Sequence, residues 1–296
     1  MIFLIKIKIK TFLLFSFTEF IQIISVSLKL RNRESFHPGI FESRVLFEKL
    51  LRLGIVLEKL NDLCIINYTP FNTKFILRRK SSDARVFEQI FLKNEYHDFV
   101  QNILMKKGKR EIKNIIDCGA NVGFASLYLK FWFKTAYFFL FEPDNGNFKI
   151  IQENLKINNF QNAHIELAGI WKNDAYLKVK IEENNTREWS IKVEETISED
   201  LNAIKGVSLT SIIENNNLDY IDILKIDIEG SEKHIFEDEE LAKKIFSKVR
   251  FLAIEIHDDV ADRNNIIHFL KSENFEISES GEYTIGFNMG LGFATL

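Results

Sequence analysis

IIDCGANVGFASLYL, residues 115–129, is the stretch whose reading decides the fold. The apolar run Asn114–Cys118 predicts a buried strand, and Val122–Phe133 predicts the helix that follows it. Between them lies Asp117-Cys118-Gly119-Ala120-Asn121-Val122-Gly123. Gly119 allows a tight turn, and Gly123 lets the helix approach the sheet and a ligand. Such a turn delivers backbone N–H groups at a helix N-terminus. A pyrophosphate site would use G-x-G-x-x-G. This chain has G-x-x-x-G led by an acid, which suits a ligand with a cationic amino-acid portion better. Asp117 can accept from an ammonium, directly or through water.

Working outward, Ala136–Phe141 predicts a second strand and Asn145–Ile157 a second helix. The second strand runs into Glu142, 23 residues after Gly119. A carboxylate there can accept from both hydroxyls of a ribose. Strands are expected at Ala163–Ile170, Ile221–Ile228 and Val249–His257, and helices at Leu209–Asn216, Ser231–Phe246 and Asp262–Ser272. An inserted hairpin is expected at Tyr176–Glu182 and Trp189–Glu194, and two closing strands between Phe275 and Leu296. Apolar strands alternating with helices imply a doubly wound, mostly parallel α/β sheet, here with an antiparallel C-terminal edge. Ligands bind such sheets beyond the carboxyl ends of the strands.

Upstream, Leu46–Leu60 and Val86–Met105 predict helices and Lys74–Arg79 a short strand. The polar run Lys106–Glu111 reads as a linker. The expected organisation is a mainly helical extension and lead-in over residues 1–108, then a Rossmann-like domain over 109–296. Phe12–Leu28 is apolar, but Glu19 and Gln22 sit inside it, and an acid is costly at mid-bilayer. A packed or surface-lying helix is expected there, with contact to a membrane surface through residues 1–30 as the alternative.

The 296 residues carry a net charge of −3, which excludes an overall basic surface of the nucleic-acid-binding kind. No base-flipping N-P-P-Y motif is present, so no nucleic-acid partner is expected. Two cysteines, Cys64 and Cys118, make no disulfide framework and fit a reducing cytoplasm. The 28 Phe beside 3 Pro look like codon bias as much as packing, so a single Phe says little.

Four runs together resemble the FkbM-type methyltransferases: IIDCGANVGFASLYL (115–129), FEPDNGNFKIIQENLKIN (141–158), LTSIIENNNLDYIDILKIDIEGSE (209–232) and LAIEIH (252–257). FILRRKSSDARVFEQIFLKNEYHDF (75–99) is similar to the lead-in of the same family. The resemblance implies a Rossmann-like fold, S-adenosylmethionine as cofactor, and O-methylation of a sugar, glycan or small-metabolite hydroxyl. It begins well after residue 30, so residues 1–30 are expected to be dispensable for cofactor binding.

The cofactor is expected to touch Asp117, Gly119, Asn121, Gly123, Glu142 and Ala168. Proton removal from the acceptor is expected at the ends of the Ile221–Ile228 and Val249–His257 strands. Asp227 and Glu229 share parity, as do Glu255 and His257, so all four converge if the strands are neighbours. His257 is the first choice as base, because a neutral imidazole takes a proton near pH 7, with Glu255 orienting it and Asp227 next in line. Under a metal alternative, Asp227, Glu255 and His257 hold a divalent ion that acidifies the hydroxyl. Each acid also has a plainer reading. Asp227 can cap the next helix with Glu229 and Ser231, and Glu255 can pair with Lys225. Asp83 can start a helix or cap a ligand, and Tyr96 is expected mainly to pack. A nucleotide-dependent oxidoreductase and a non-catalytic binding domain are the competing functions; the glycine spacing opposes the first and the intact acidic motifs the second.

Overall fold

The computed structural model of the protein describes residues 10, 11, 13–15, 19, 23, 38–180, 192–197 and 202–291. The lead-in opens with helix α1 (Pro38–Arg52) and strands β1 (Val56–Leu60), β2 (Leu63–Tyr68) and β3 (Thr73–Arg78). It continues through α2 (Asp83–Phe87), one π turn (Glu88–Leu92) and α3 (His97–Lys106). The expected helix at Leu46–Leu60 thus stops at Arg52. Gly54 takes a φ of +78, the left-handed conformation that ends helices, and β1 follows. The lead-in, expected to be mainly helical, also carries a three-stranded antiparallel sheet in the order β1-β2-β3. The expected helix Val86–Met105 is broken between α2 and α3 by the π turn and by Asn94, whose φ is +58.

The second unit runs β4 (Asn114–Cys118), α4 (Phe124–Trp132), β5 (Tyr137–Glu142), α5 (Asn145–Ile157) and β6 (Ala163–Trp171). Then come β7 (Ala175–Lys180), β8 (Lys192–Thr196), β9 (Ile204–Ser208) and α6 (Leu209–Asn215). It closes with β10 (Ile221–Ile226), α7 (Glu232–Phe236), α8 (Glu239–Phe246), β11 (Val249–Glu255), α9 (Arg263–Ser272), β12 (Phe275–Ser280) and β13 (Tyr283–Asn288). One helix was expected over Ser231–Phe246. Two form, because the Asp238 side chain accepts from the Leu241 N–H and starts α8 afresh. Strand β9 has no counterpart in the sequence reading. The expected positions Glu182 and Trp189 of the hairpin, and the tail beyond 291, lie outside the described residues.

Among the described residues, ten strands form one sheet in the order β12-β13-β11-β10-β4-β5-β6-β9-β7-β8. From β11 to β9 every neighbouring pair is parallel. The antiparallel additions are β13 and β12 at one edge, β7 and β8 at the other. The chain leaves β4 through β5, β6 and β9, then returns to the other side of β4 for β10 and β11. The β4–β10 junction is therefore the point of reversal, where a crevice opens beyond the strand ends.

Alternation along the strands builds two cores. Ile115, Phe138, Leu140, Ile223 and Phe251 face one, together with the lead-in, α4 and α5. Ile116, Phe139, Phe141, Leu224 and Leu252 face the other, with α6 to α9. Residues on both sides of position 108 share the first core. Its centre is an aromatic cluster in which Phe75, Phe87 and Phe91 of the lead-in contact Phe124 of α4, with ring centroids 5.4–6.4 Å away. These phenylalanines are packing elements, whatever their codon origin. The described N-terminal residues join this core too: Leu14, Phe15 and Ile23 are buried in it. Glu19 is buried 3.6 Å from the guanidinium of the equally buried Arg79. No helix among the described residues is long and apolar enough to cross a membrane.

Candidate active site

The turn after β4 takes the glycine-dependent geometry expected of it. Gly119 has φ +80, and a Cβ there would stand 1.8 Å from the carbonyl oxygen of Asp227. Only glycine lets the turn pass so close to the end of β10. The expectation that the turn aims its N–H groups at a ligand is corrected. The Gly119 and Ala120 N–H groups both donate to the Phe141 carbonyl at 3.0 Å. The Asn121 N–H donates to Glu142 Oε2 at 2.8 Å. The loop uses those donors to clamp the end of β5 and to aim Glu142. Glu142 Oε1 takes the Asp144 N–H at 3.0 Å and the Asn147 amide at 3.1 Å. Burial pushes the Glu142 carboxyl up to about 7, against the pull of these donors.

Asp117 and Gly123 sit elsewhere than expected. Asp117 lies wholly buried behind the cavity wall, where Oδ2 accepts from Ser126 at 2.6 Å. It does meet an ammonium, but the chain's own: Lys225 Nζ is 3.1 Å from Oδ1. Parallel pairing of β4 with β10 puts Asp117 opposite Lys225. Lys225, read as a partner for Glu255, donates instead to the Gly119 carbonyl at 2.7 Å and lies 3.6 Å from Asp227. Burial works against its charge, and the carboxylates outweigh it, so its pKa stands above the ordinary lysine value. Gly123, with φ +81, faces Ile151 and Leu155 of α5 and serves helix packing.

Gly119, Asn121, Glu142 and Ala168 line one cavity of about 310 Å³, together with Asp227, Glu229, Glu255 and His257. β10 and β11 are neighbours, as convergence of the four required. The parity argument for Glu229 does not apply, because β10 ends at Ile226 and Glu229 turns with φ +54. The lead-in and the last hairpin also contribute walls: Tyr96, which the sequence offered as a cap on a ligand or as a packing residue, and Glu95, Glu282 and Tyr283, which the sequence reading left out. Tyr96 donates to the Tyr283 hydroxyl at 2.6 Å, and Tyr283 donates to Asp227 Oδ2 at 3.0 Å. Tyr96 thus packs and also braces the acid. Asp83 starts α2 and pairs with Arg78.

The protonation state expected of His257 is reversed. Its Nδ1 lies 3.1 Å from Glu232, and its Nε2 lies 3.4 Å from Glu229 and 3.7 Å from Glu255. Burial alone would lower its pKa, but hydrogen bonds to Glu229 and Glu232 hold it up at about 11. At neutral pH the ring is an imidazolium and has no lone pair for a proton. Glu255 is pushed up to about 8, first by burial and then by the charge of Asp227. Asp227, Glu229 and His257 each offer one ligand atom within 4.8 Å of the others. The set matches the expected metal group in two positions, with Glu229 in place of Glu255.

A family model described as the methyltransferase FkbM domain matches residues 117–277. "Methyltransferase 1" of Beauveria bassiana is 23% identical over 182 residues, covering 55% of this chain and 72% of that protein. Among solved structures, the methyltransferase FkbM of Methylobacillus flagellatus KT aligns at 20% identity and a TM-score of 0.42. That alignment covers 60% of this chain and 43% of the other, so this chain spans less than half the length of that one. The N-terminal domain of human METTL16, in complex with SAH, aligns at 12% identity and a TM-score of 0.36, covering 65% and 68% of the two chains.

Proposed function

The chain belongs to the FkbM methyltransferase family, and from that premise we propose that it methylates a hydroxyl of a small metabolite, sugar or glycan from S-adenosylmethionine. The observation that carries this reading is the shared cavity, which is lined by both Glu142 and the Asp227–His257 group. The residues fit the cofactor. Glu142 Oε2 accepts from the Asn121 N–H and has a second lone pair for a ribose hydroxyl. Asp227 and Glu229 bring acidic side chains to the space that a sulfonium cation would enter, beside the cations Lys225 and His257.

When bound, S-adenosylmethionine supplies an electrophilic methyl group. The chain's task is then to align the acceptor oxygen and take its proton. Asp227 is the base, because Tyr283 fixes its Oδ2 and β10 delivers it into the cavity. After burial, the charge of Asp227 helps to raise the Glu255 carboxyl beside it. His257, as a cation, holds Glu229, Glu232 and Glu255 in place and stabilises negative charge on the oxygen. A cytoplasmic setting is part of the proposal, in keeping with the buried free thiols Cys64 and Cys118.

The compact Asp227, Glu229 and His257 set favours a second reading, in which these three side chains, His257 with its proton lost, would hold a divalent ion that would supply Lewis acidity toward the hydroxyl. Calorimetry with S-adenosylhomocysteine tests the first reading. The full chain should bind it, and Glu142→Ala should weaken it about tenfold or more, the worth of a charge-assisted hydrogen bond. No binding by the folded chain refutes the cofactor assignment. EDTA separates the two proton routes: turnover that survives chelation supports Asp227, and turnover restored only by Mg²⁺ or Mn²⁺ supports the metal.

A further inference from the structure

Glu142 is held by a chain of side chains that begins outside the matched segment 117–277. Arg78 is the last residue of β3. Its Nε and Nη2 grip the two oxygens of the buried Asp83 at 3.0 and 2.8 Å. The Arg78 backbone N–H donates to the same carboxylate at 2.8 Å. The fork is thereby fixed, and Nη2 also donates to Asn147 Oδ1 at 2.7 Å. The Asn147 amide in turn donates to Glu142 Oε1 at 3.1 Å. Its backbone N–H is tied to Asp144 at 2.7 Å, so the start of α5 cannot drift.

The chemistry of this chain runs one way only. A guanidinium has donors and no acceptor, and an ionised carboxylate has acceptors and no donor. Asn147 lies between them, so its oxygen must face Arg78 and its nitrogen must face Glu142. Without the guanidinium, nothing in this set of contacts prevents the amide from turning its oxygen toward Glu142, where it would repel the carboxylate instead of donating to it.

We propose that Arg78 is a positioning residue for the cofactor site, acting through Asn147 to aim the carboxylate that receives the ribose. The inference rests on the ribose assignment of Glu142. It makes cofactor affinity depend on the β3 strand of the lead-in as well as on the family domain. The Asn147 donor lowers the Glu142 pKa against burial, so its loss favours the protonated, non-accepting form. The charges facing Glu142 in this account are Asp144 on its own loop and the Arg78–Asp83 pair beyond Asn147.

The test is calorimetric titration of the full chain with S-adenosylhomocysteine across pH 6–9, for the parent, Arg78→Lys, Asn147→Ala, both together, and Glu142→Ala. Lysine keeps the charge but cannot hold Asp83 and Asn147 at once. Asn147→Ala leaves the Arg78–Asp83 pair intact, so it remains informative if the Arg78 variant unfolds. Each single change should weaken binding about five- to tenfold, less than the roughly tenfold or more of one hydrogen bond to a charged group, because each acts on the ribose only through Glu142. The double variant should be no weaker than Asn147→Ala, because both act on one path. In both single variants the pH below which affinity falls should move upward, a shift that general loosening of the fold would not produce. The inference is overturned if Arg78→Lys and Asn147→Ala bind within twofold of the parent with unmoved pH profiles while Glu142→Ala fails to bind. Additive losses in the double variant overturn it as well. If the folded parent does not bind, the cofactor reading itself fails, and the inference fails with it.

Discussion

Lys225 joins the scaffold to the site, and Lys225→Met tests how. The ammonium lies 3.1 Å from Asp117, 3.6 Å from Asp227 and 2.7 Å from the Gly119 carbonyl, and its side chain is 4% exposed. Methionine matches its length and removes the charge. Asp117, fully buried, then keeps Ser126 as its hydrogen-bond donor but loses its counter-ion. Breaking a buried pair by removing one partner costs about 3–5 kcal/mol. Against a total stability of roughly 5–15 kcal/mol, that brings the protein close to its folding threshold. At roughly 2 °C per kcal/mol for a chain of this size, the melting temperature should fall by about 6–10 °C. Replacing both partners with neutral groups removes the stranded charge, so Lys225→Met with Asp117→Asn should recover about half of the loss or more. Urea unfolding followed by circular dichroism measures the parent and both variants, with the m-value as the check that only stability has changed. A loss below about 1 kcal/mol in the single variant, or a double variant weaker than the single, would refute the account of Lys225 as the counter-ion of Asp117.

The ligand-free protein should lose stability as pH rises from about 5 to 8. Glu95 and Glu142 are held at about 7 and Glu255 at about 8 in the fold, so the folded state binds more protons than the unfolded state across that window. His257, held at about 11, extends the same slope upward, and a urea midpoint that is flat or rises from pH 6 to 8 contradicts it. Affinity for S-adenosylhomocysteine should show the opposite trend and rise through pH 7 as Glu142 ionises. Glu19→Gln should lower the melting temperature by several degrees, since it removes a carboxylate 3.6 Å from the buried Arg79; an unchanged melting temperature would refute the account of Glu19 as a counter-ion of Arg79. Gly119→Ala should abolish cofactor binding and destabilise the fold, because the added methyl meets the Asp227 carbonyl at 1.8 Å. Parent-like affinity in that variant would show that the turn can move.

What could be read from the sequence was what local pattern controls. β4 and α5 form over the residues expected, because an apolar run before a glycine turn and a helix capped by Asp144 are short-range signals. The convergence of Asp227, Glu255 and His257 followed from strand parity and the reversal of strand order. Residues far apart in the chain carried the rest. Asp117 and Lys225 are 108 positions apart, and whether the acid faces a ligand or a lysine is decided by which strand lies beside β4. The charge of His257 depends on three carboxylates from a turn, a helix and its own strand, and no spacing rule sums them. Tyr96 and Tyr283 meet across 187 positions. Gly54 was a legible stop signal in a segment read for apolar spacing alone.

The order of the strands also sets an order of assembly during synthesis. Glu142 and the glycine turn leave the ribosome 141 residues before Tyr283. At about 5–20 residues per second that interval is on the order of ten seconds. Late in that interval β11 emerges, and its outer edge has no β13 to pair with until Tyr283 follows Glu255 by 28 residues, although most of its residues are apolar and buried in the finished fold. An unpaired apolar edge is a template for association with another chain. The nascent protein therefore passes through a stage in which the cofactor half of the cavity can close while β11 depends on chaperones or dilution for protection. Asp227 acquires its hydroxyl brace from Tyr283 with the same strand that covers the β11 edge.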